Sequence, residues 1–270
     1  MSNAMVDFDY ARPKSVREAV ALLTNEPEAM ALAGGQSLIP TLKQRLARPT
    51  LLVDVQDIDE MRGIAVSDTH VVVGAMTRHA EVAVDAHIAE ALPALAHMAH
   101  GIGHPQVRHM GTMGGSVAHN DPGADYPAAV LGLGATIHTD RRRIAADAFF
   151  TGLFATALEP GELVLRIEYP RHHRSGYCKI AHPASGLVNT GAWVTRLDDG
   201  VRVVINGAAP CVFRHQELER LLAARFDAAS LDGFRQPSEG LNADMHASAE
   251  YRAQLVTVTV KRALAMALSH

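Results

Sequence analysis

The sequence predicts an α+β protein, and three features of its 270 residues indicate this class. Up to about residue 140, short β-branched segments alternate with helical patterns, as in layered folds of strands and helices. Beyond residue 160, four strand-like segments follow one another and precede two helical segments. Hydrophobic residues make up 48% and charged residues 20%, close to the globular average, which excludes a disordered or fibrous chain.

The elements of the first part follow from local signals. Residues 1–4, Met-Ser-Asn-Ala, resemble a remnant of expression cloning, so the first lobe is expected to start at Met5. Ser15 and Glu18 form a capping box, which predicts a helix from Val16. Thr77 is expected to cap the helical pattern that ends at Gly101. The other elements expected here are strands at 30–33, 51–55 and 70–76 and a helix over 38–47.

The second part has a different texture. Residues 103–124 are rich in Gly, Pro, Asn and Asp and are predicted to be an irregular, functional loop. The change after residue 160 predicts a domain boundary near residue 170. The expected elements are a helix at 125–134, strands at 135–139, 162–170, 177–183, 187–197 and 201–210, and helices at 215–226 and 248–268.

Composition excludes several functions. A net charge of −4 and 5% aromatic residues argue against a nucleic-acid partner. No apolar run reaches the ~20 residues of a membrane span, and no secretory signal opens the chain, so we expect a cytoplasmic protein. Cys178 and Cys211 are too few for an iron–sulfur cluster and are expected to be free thiols. His97, His100 and His104 are expected to be solvated rather than to bind a metal.

Two glycine-rich segments carry the predicted binding chemistry. Ala33-Gly34-Gly35-Gln36-Ser37 lies between a strand and a helix, and Thr112-Met113-Gly114-Gly115-Ser116 lies in the long loop. Backbone amides in such turns form anion-binding nests, so the two segments would clamp the phosphates of a dinucleotide. Asp125 would accept hydrogen bonds from its hydroxyl groups. A plain turn is the alternative for either segment alone, and the Rossmann and P-loop motifs are absent.

Longer segments resemble a known family. AGGQSLIPTLKQRLARPTLLVDV, VGAMTRHAEV and HPQVRHMGTMGGSVAHNDPGADYPAAVLGLGATI resemble the FAD-binding subunit of molybdenum-containing hydroxylases. This family includes the medium subunit of carbon monoxide dehydrogenase and the FAD domain of xanthine dehydrogenase. The resemblance continues through GELVLRIEYP to ASAEYRAQLVTVTVKRAL. It therefore covers the chain from Asp7 onwards.

The resemblance implies both a fold and a site. Two α/β FAD-binding lobes, residues 5–60 and 61–170, would precede a C-terminal antiparallel sheet with helices, residues 171–270. The two glycine segments would hold the pyrophosphate, Ile102 would pack on the flavin, and Leu165 and Lys179 would approach the isoalloxazine or the sugar. The implied FAD contacts are Ala33, Gly34, Gly35, Gln36, Ser37, Ile102, Thr112, Gly114, Gly115, Ser116, Ala118, Asp125, Leu165 and Lys179.

The resemblance also implies an oxidoreductase function. The chain would be an electron-transfer subunit that binds FAD, with no catalytic nucleophile of its own. The molybdenum cofactor and [2Fe–2S] clusters would lie on a large and a small partner subunit, in a dimer of heterotrimers. One segment departs from the family pattern, because Lys179 is not followed by an arginine pair. The alternatives are a self-sufficient FAD-dependent oxidoreductase of the same fold and a flavin-free interaction scaffold.

Overall fold

The computed structural model describes residues 7–171 and 173–269. The helices are α1 Val16–Asn25, α2 Leu38–Lys43, α3 His79–Val84, α4 Ala86–Ala91, α5 Pro93–His100, α6 Pro105–Arg108, α7 Met113–His119, α8 Tyr126–Gly132, α9 Ala146–Phe149, α10 Gln216–Ala224 and α11 Ala249–Ser269. The strands are β1 Asp9–Ala11, β2 Ala29–Leu32, β3 Leu51–Asp54, β4 Ile64–Val66, β5 His70–Gly74, β6 Thr136–Thr139, β7 Arg143–Ala145, β8 Phe150–Gly152, β9 Ala155–Thr156, β10 Val164–Pro170, β11 Arg174–Ala181, β12 Val188–Leu197, β13 Gly200–Asn206 and β14 Phe213–Arg214.

The first lobe is a small parallel sheet with the strand order β1-β3-β2. Leu52 and Val53 of β3 are buried at its centre. The amphipathic helix α1 covers the sheet with Ala19 and Leu23, and it begins at Ser15, whose Oγ accepts a hydrogen bond from the Glu18 amide. The chain then leaves β2 through the first glycine segment and enters α2.

The second lobe contains a five-stranded antiparallel sheet with the order β4-β5-β10-β6-β7. Its third strand, β10, pairs with β5 on one side and β6 on the other. Ile167 and Tyr169 of β10 are fully buried beneath the helices of this lobe. The first of the four strand segments predicted after residue 160 therefore completes the second lobe.

The C-terminal domain is an antiparallel sheet, β11-β12-β13-β14, against which the long helix α11 packs. It is tied to the second lobe by polar side chains. Asn206 Nδ2 donates to the Ala124 carbonyl over 2.7 Å, and Arg202 Nη1 donates to the Leu131 carbonyl over 3.1 Å. These bonds hold the sheet beside the start and the end of α8.

The predicted α+β class is confirmed, and several local predictions are corrected. Arg78, and not Thr77, is the N-cap of α3, because the Thr77 hydroxyl donates to the Gly63 carbonyl. The helical pattern before Gly101 is divided into α3, α4 and α5, with Pro93 starting the last of them. The segment predicted to be an irregular loop contains α6 and α7.

The three large sheets span residues 9–54, 64–170 and 174–214, on either side of the boundaries predicted after residues 60 and 170. The boundaries themselves stay a prediction. Within the described residues, no helix is both long enough and apolar enough to cross a bilayer. The arrangement leaves the glycine segments of the first two lobes facing each other.

Candidate functional site

A cavity of about 570 Å³ lies where the three parts of the chain meet. The first lobe contributes the segment after β2, and the second lobe contributes the start of α7 and the turn before α8. Ser185, Gly186 and Leu187, between β11 and β12, close it from the C-terminal domain. This volume lies within the ~300–1,000 Å³ of ordinary ligand sites.

The structure brings nearly all predicted contacts to this cavity. Leu165 and Lys179 are the exceptions among them. At a bulge in β10, Leu163 and Val164 line the cavity, whereas the Leu165 carbonyl accepts a hydrogen bond from the Ala75 amide. The predicted contacts that line the cavity are Ala33, Gly34, Gly35, Gln36, Ser37, Ile102, Thr112, Gly114, Gly115, Ser116, Ala118 and Asp125.

The first glycine segment presents free backbone donors. Gly35 has a φ of +71°, in the left-handed region that favours glycine. Gln36 Nε2 donates to the Gly34 carbonyl and closes the turn. Among the described residues, the amides of Gly35, Gln36 and Ser37 donate to no protein acceptor. Adjacent free amides in a turn of this kind form a nest for an anion.

Two of the glycines are needed because another backbone segment packs directly against them. A Cβ on Gly34 would lie 2.1 Å from the Met110 carbonyl oxygen, and one on Gly114 would lie 2.3 Å from Ala75 Cβ. Both distances are shorter than any van der Waals contact, so only glycine allows the backbones to approach. Gly34 therefore allows the first lobe to contact the second, and Gly114 allows α7 to pack on the chain after β5 within the second lobe.

The second glycine segment is the N-terminus of α7 and uses its amides internally. The Met113 and Gly114 amides donate to the Thr77 and Ala75 carbonyls, while Thr112 caps the helix with its hydroxyl and carbonyl oxygens. What this segment offers a ligand is therefore its hydroxyl groups, from Thr112 and Ser116. From the sequence, both segments were expected to present free amides to an anion, and the residue types alone could not show that the amides of the second segment are already hydrogen-bonded.

Asp125 lies at the start of α8, yet its side chain makes no capping bond. One carboxylate oxygen accepts from the Tyr177 hydroxyl over 2.8 Å, and the other accepts from Lys179 Nζ over 2.9 Å. Burial raises the pKa of the Asp125 carboxyl, and the Lys179 ammonium opposes that shift. Lys179 thus supports the site from behind Asp125, without lining the cavity.

His79 is a cavity residue that the sequence reasoning missed. Burial, reinforced by the charge of Arg108, lowers the pKa of His79 to about 4, so the imidazole is neutral at pH 7. Its ring stacks on Tyr126 with 5.1 Å between centroids. The segment VGAMTRHAEV already contained His79, but only burial distinguishes it from a solvated histidine.

Glu162 holds the start of β10 and so places Leu163 and Val164 at the cavity. Its buried carboxylate accepts from Arg142 Nε and Nη2, from the Thr139 hydroxyl and from the Glu159 amide. The Arg142 hydrogen bonds lower the pKa of Glu162 to about 2, from an ordinary 4.5. A carboxyl with a depressed pKa stabilises the fold above its unfolded pKa, and the contribution disappears as the pH falls towards 2.

We therefore expect Glu162→Gln to lower the free energy of unfolding by about 2 kcal/mol at pH 7, and by clearly less at pH 3. Urea unfolding at both pH values measures this difference. Glu159→Gln is the control, because Glu159 is exposed and exposed pairs contribute about 0–1 kcal/mol. An equal loss for Glu162→Gln at pH 7 and pH 3 would contradict the assignment.

Known proteins are similar to this chain in sequence. A family model for the FAD binding domain in molybdopterin dehydrogenase matches residues 6–172. The carbon monoxide dehydrogenase medium chain of Afipia carboxidovorans is 38% identical over 95% of both chains. The 6-hydroxypseudooxynicotine dehydrogenase complex subunit alpha of Paenarthrobacter nicotinovorans is 34% identical, covering 97% of this chain and 94% of its own.

Solved structures agree with these matches. A chain in the structure of reconstituted CO dehydrogenase from Oligotropha carboxidovorans superposes with a TM-score of 0.90 at 34% identity, over 98% of this chain and 99% of its own. The family model covers both lobes that form the cavity, and the relatives match almost from end to end. The chain therefore belongs to the FAD-binding subunits of the molybdopterin dehydrogenases, a family of oxidoreductases.

Proposed function

We propose that this chain is the electron-transfer subunit of a molybdenum hydroxylase complex. It receives electrons from [2Fe–2S] clusters on a small partner subunit and passes them to a final acceptor. A large partner subunit carries the molybdenum cofactor, and the complex is a dimer of heterotrimers. The proposal includes a cytoplasmic location, where thiols such as Cys178 and Cys211 stay reduced.

This proposal depends on one observation: free backbone amides, a serine hydroxyl and a carboxylate line the same cavity. The free amides of residues 35–37 fit a pyrophosphate, and the Ser116 hydroxyl lies in the same lining. The Asp125 carboxylate fits sugar or ribityl hydroxyls, and Ile102 supplies apolar surface for a ring. When bound, FAD supplies the electron chemistry, and the chain supplies position and electrostatics.

The positions of the cysteines and of the other side chains that could bind a metal support a partner subunit as the source of electrons. Cys178 contacts Arg262, and Cys211 lies 3.6 Å from Asn120 Nδ2. In the part of the chain that the structure describes, no three His, Cys, Asp or Glu side chains are grouped to hold a metal. Clusters of the [2Fe–2S] type need about four cysteine or histidine ligands. Electrons from such a cluster therefore have to reach this chain across a protein interface.

A reconstitution that needs no known substrate tests the proposal. The cluster-bearing partner, co-purified from the native source, is reduced with dithionite, freed of excess reductant and mixed with the FAD-loaded chain. We expect the flavin absorbance to bleach with reduced partner and to persist with oxidised partner. Bleaching of the isolated chain by a substrate of the complex would favour the self-sufficient oxidoreductase. Failure to take up FAD would favour the scaffold.

A further inference from the structure

The loop between β11 and β12, residues 182–187, forms one wall of the cavity. Ser185, Gly186 and Leu187 line the cavity, while the outer side of the loop is exposed. On the opposite wall, Gly103 approaches Gly186 so closely that a Cβ on Gly186 would lie 3.0 Å from Gly103 Cα. Contacts of this loop with the opposite wall therefore help to determine how far the cavity is covered.

His182 holds the loop in its closed form. Its Nδ1 accepts from the Ala184 amide over 3.3 Å and from the Ser185 amide over 3.2 Å, and it also lies 3.2 Å from Ser185 Oγ. The His182 backbone exchanges hydrogen bonds with Leu187 and Gly186. An imidazole nitrogen that accepts from amides must be unprotonated, so the closed loop requires neutral His182 with its proton on Nε2.

A second imidazole and an ammonium group also contact this loop. The His246 ring lies edge-on to the His182 ring, with 4.3 Å between centroids, and Lys179 Nζ donates to the Gly186 carbonyl over 3.3 Å. The titratable and charged groups on the elements packed against the loop are Lys179, His246, Asp244, Arg252, His104, Arg108, Asp121 and Asp125.

We propose that His182 is a positioning residue that closes this loop over the cavity when neutral and releases it when protonated. Protonation places an N–H on Nδ1, directly against the amides of Ala184 and Ser185, and sets a cation beside the His246 ring. Histidine changes its charge between pH 5 and 8, so the cavity is covered at pH 8 and opens at pH 5.5. The inference rests on the proposed function only for the identity of the ligand, FAD.

Two substitutions of His182 test separately its role as a hydrogen-bond acceptor and its ability to bind a proton. His182→Asn keeps an oxygen that accepts amide bonds two residues along the chain but does not titrate, so the loop stays closed at both pH values. His182→Ala removes the acceptor, so the loop is open at both. His87→Asn is the matched control, because His87 is exposed on α4 and lines no part of the cavity.

The first measurement follows the loop without any flavin. Hydrogen–deuterium exchange of residues 182–188 is compared between variants at the same pH, so that intrinsic exchange cancels. At pH 5.5 we expect the Ser185 and Gly186 amides to exchange about tenfold faster in the wild type than in His182→Asn, and equally at pH 8. Equal exchange of the two proteins at pH 5.5 would overturn the proposal.

The second measurement is the rate of FAD release. We expect release from the wild type and His87→Asn to be about tenfold faster at pH 5.5 than at pH 8, with little change in His182→Asn and fast release from His182→Ala at both. Release from His182→Asn that is as acid-sensitive as the wild type overturns the role of His182. A chain that binds no FAD, yet shows the expected exchange pattern, contradicts the proposed function and leaves the loop mechanism supported.

Discussion

Gly35→Val is expected to reduce FAD binding at least about 100-fold while leaving the three sheets folded. Gly35 has a φ of +71°, which costs a side-chain-bearing residue about 1–2 kcal/mol, and a Cβ there would lie 3.1 Å from Ile39 Cγ1. Relief of this strain rotates the turn and scatters the free amides of Gln36 and Ser37. Losing several hydrogen bonds to a charged pyrophosphate accounts for the size of the effect.

Gly240→Val is the matched control for backbone strain. Gly240 has a φ of +77°, and its Cβ would meet no atom within 4 Å, so the substitution introduces the same conformational cost away from the cavity. We expect it to lose stability and keep normal FAD content. FAD titration and urea unfolding of both variants measure the two effects. Normal FAD content in Gly35→Val would refute the nest at the first glycine segment.

Asp125→Ala is expected to lower the free energy of unfolding by about 3 kcal/mol, because it leaves the largely buried Lys179 ammonium without its carboxylate partner. It also removes the acceptor proposed for the hydroxyl groups of FAD, which should weaken binding about 10–100-fold. Loss of a helix cap does not contribute, since the Asp125 carboxylate bonds Tyr177 and Lys179 and makes no capping bond to α8.

The double variant Asp125→Ala with Lys179→Met separates these two roles of Asp125. Removing both charges should recover most of the lost stability, because a buried pair contributes little more than an apolar replacement. FAD affinity should stay low, since the acceptor is still missing. Unfolding without flavin and titration with FAD provide the two readouts. Recovery of FAD affinity together with stability would mean that Asp125 acts only by joining the second lobe to the C-terminal sheet.

Much of the secondary structure follows from short-range signals. The capping box at Ser15 acts within three residues, and the runs at 51–55 and 70–76 show strand propensity in their own residue types, although their pairing partners lie far along the chain. Helix α7 escaped prediction because glycine disfavours a helix interior, and only its Thr112 cap and the Thr77 and Ala75 carbonyls hold its first turn. Strands as short as β4, β7 and β9 acquire their bonds from neighbours and carry little pattern of their own.

In the glycine segments too, some features follow from the local sequence and others depend on distant residues. Together with the longer segments around them, they were enough to identify the family, the FAD cofactor and twelve residues that line the cavity. Which glycine faces a ligand and which one packs on a neighbouring backbone depends on Met110 and Ala75, which folding brings to Gly34 and Gly114. The sequence could not distinguish the free amides of residues 35–37 from the occupied amides of α7 for the same reason.

The sequence was therefore sufficient for the fold class and the family, because these depend on residue types and on the order of segments along the chain. It also predicts the position of the proposed phosphate-binding turn. Tertiary packing alone decided that His79 is neutral, that Asp125 is bonded to Tyr177 and Lys179, and that residues 185–187 line the cavity. Burial, charge pairing and cavity shape are produced by groups far apart in the chain. They come into being only when the two lobes and the C-terminal sheet pack together.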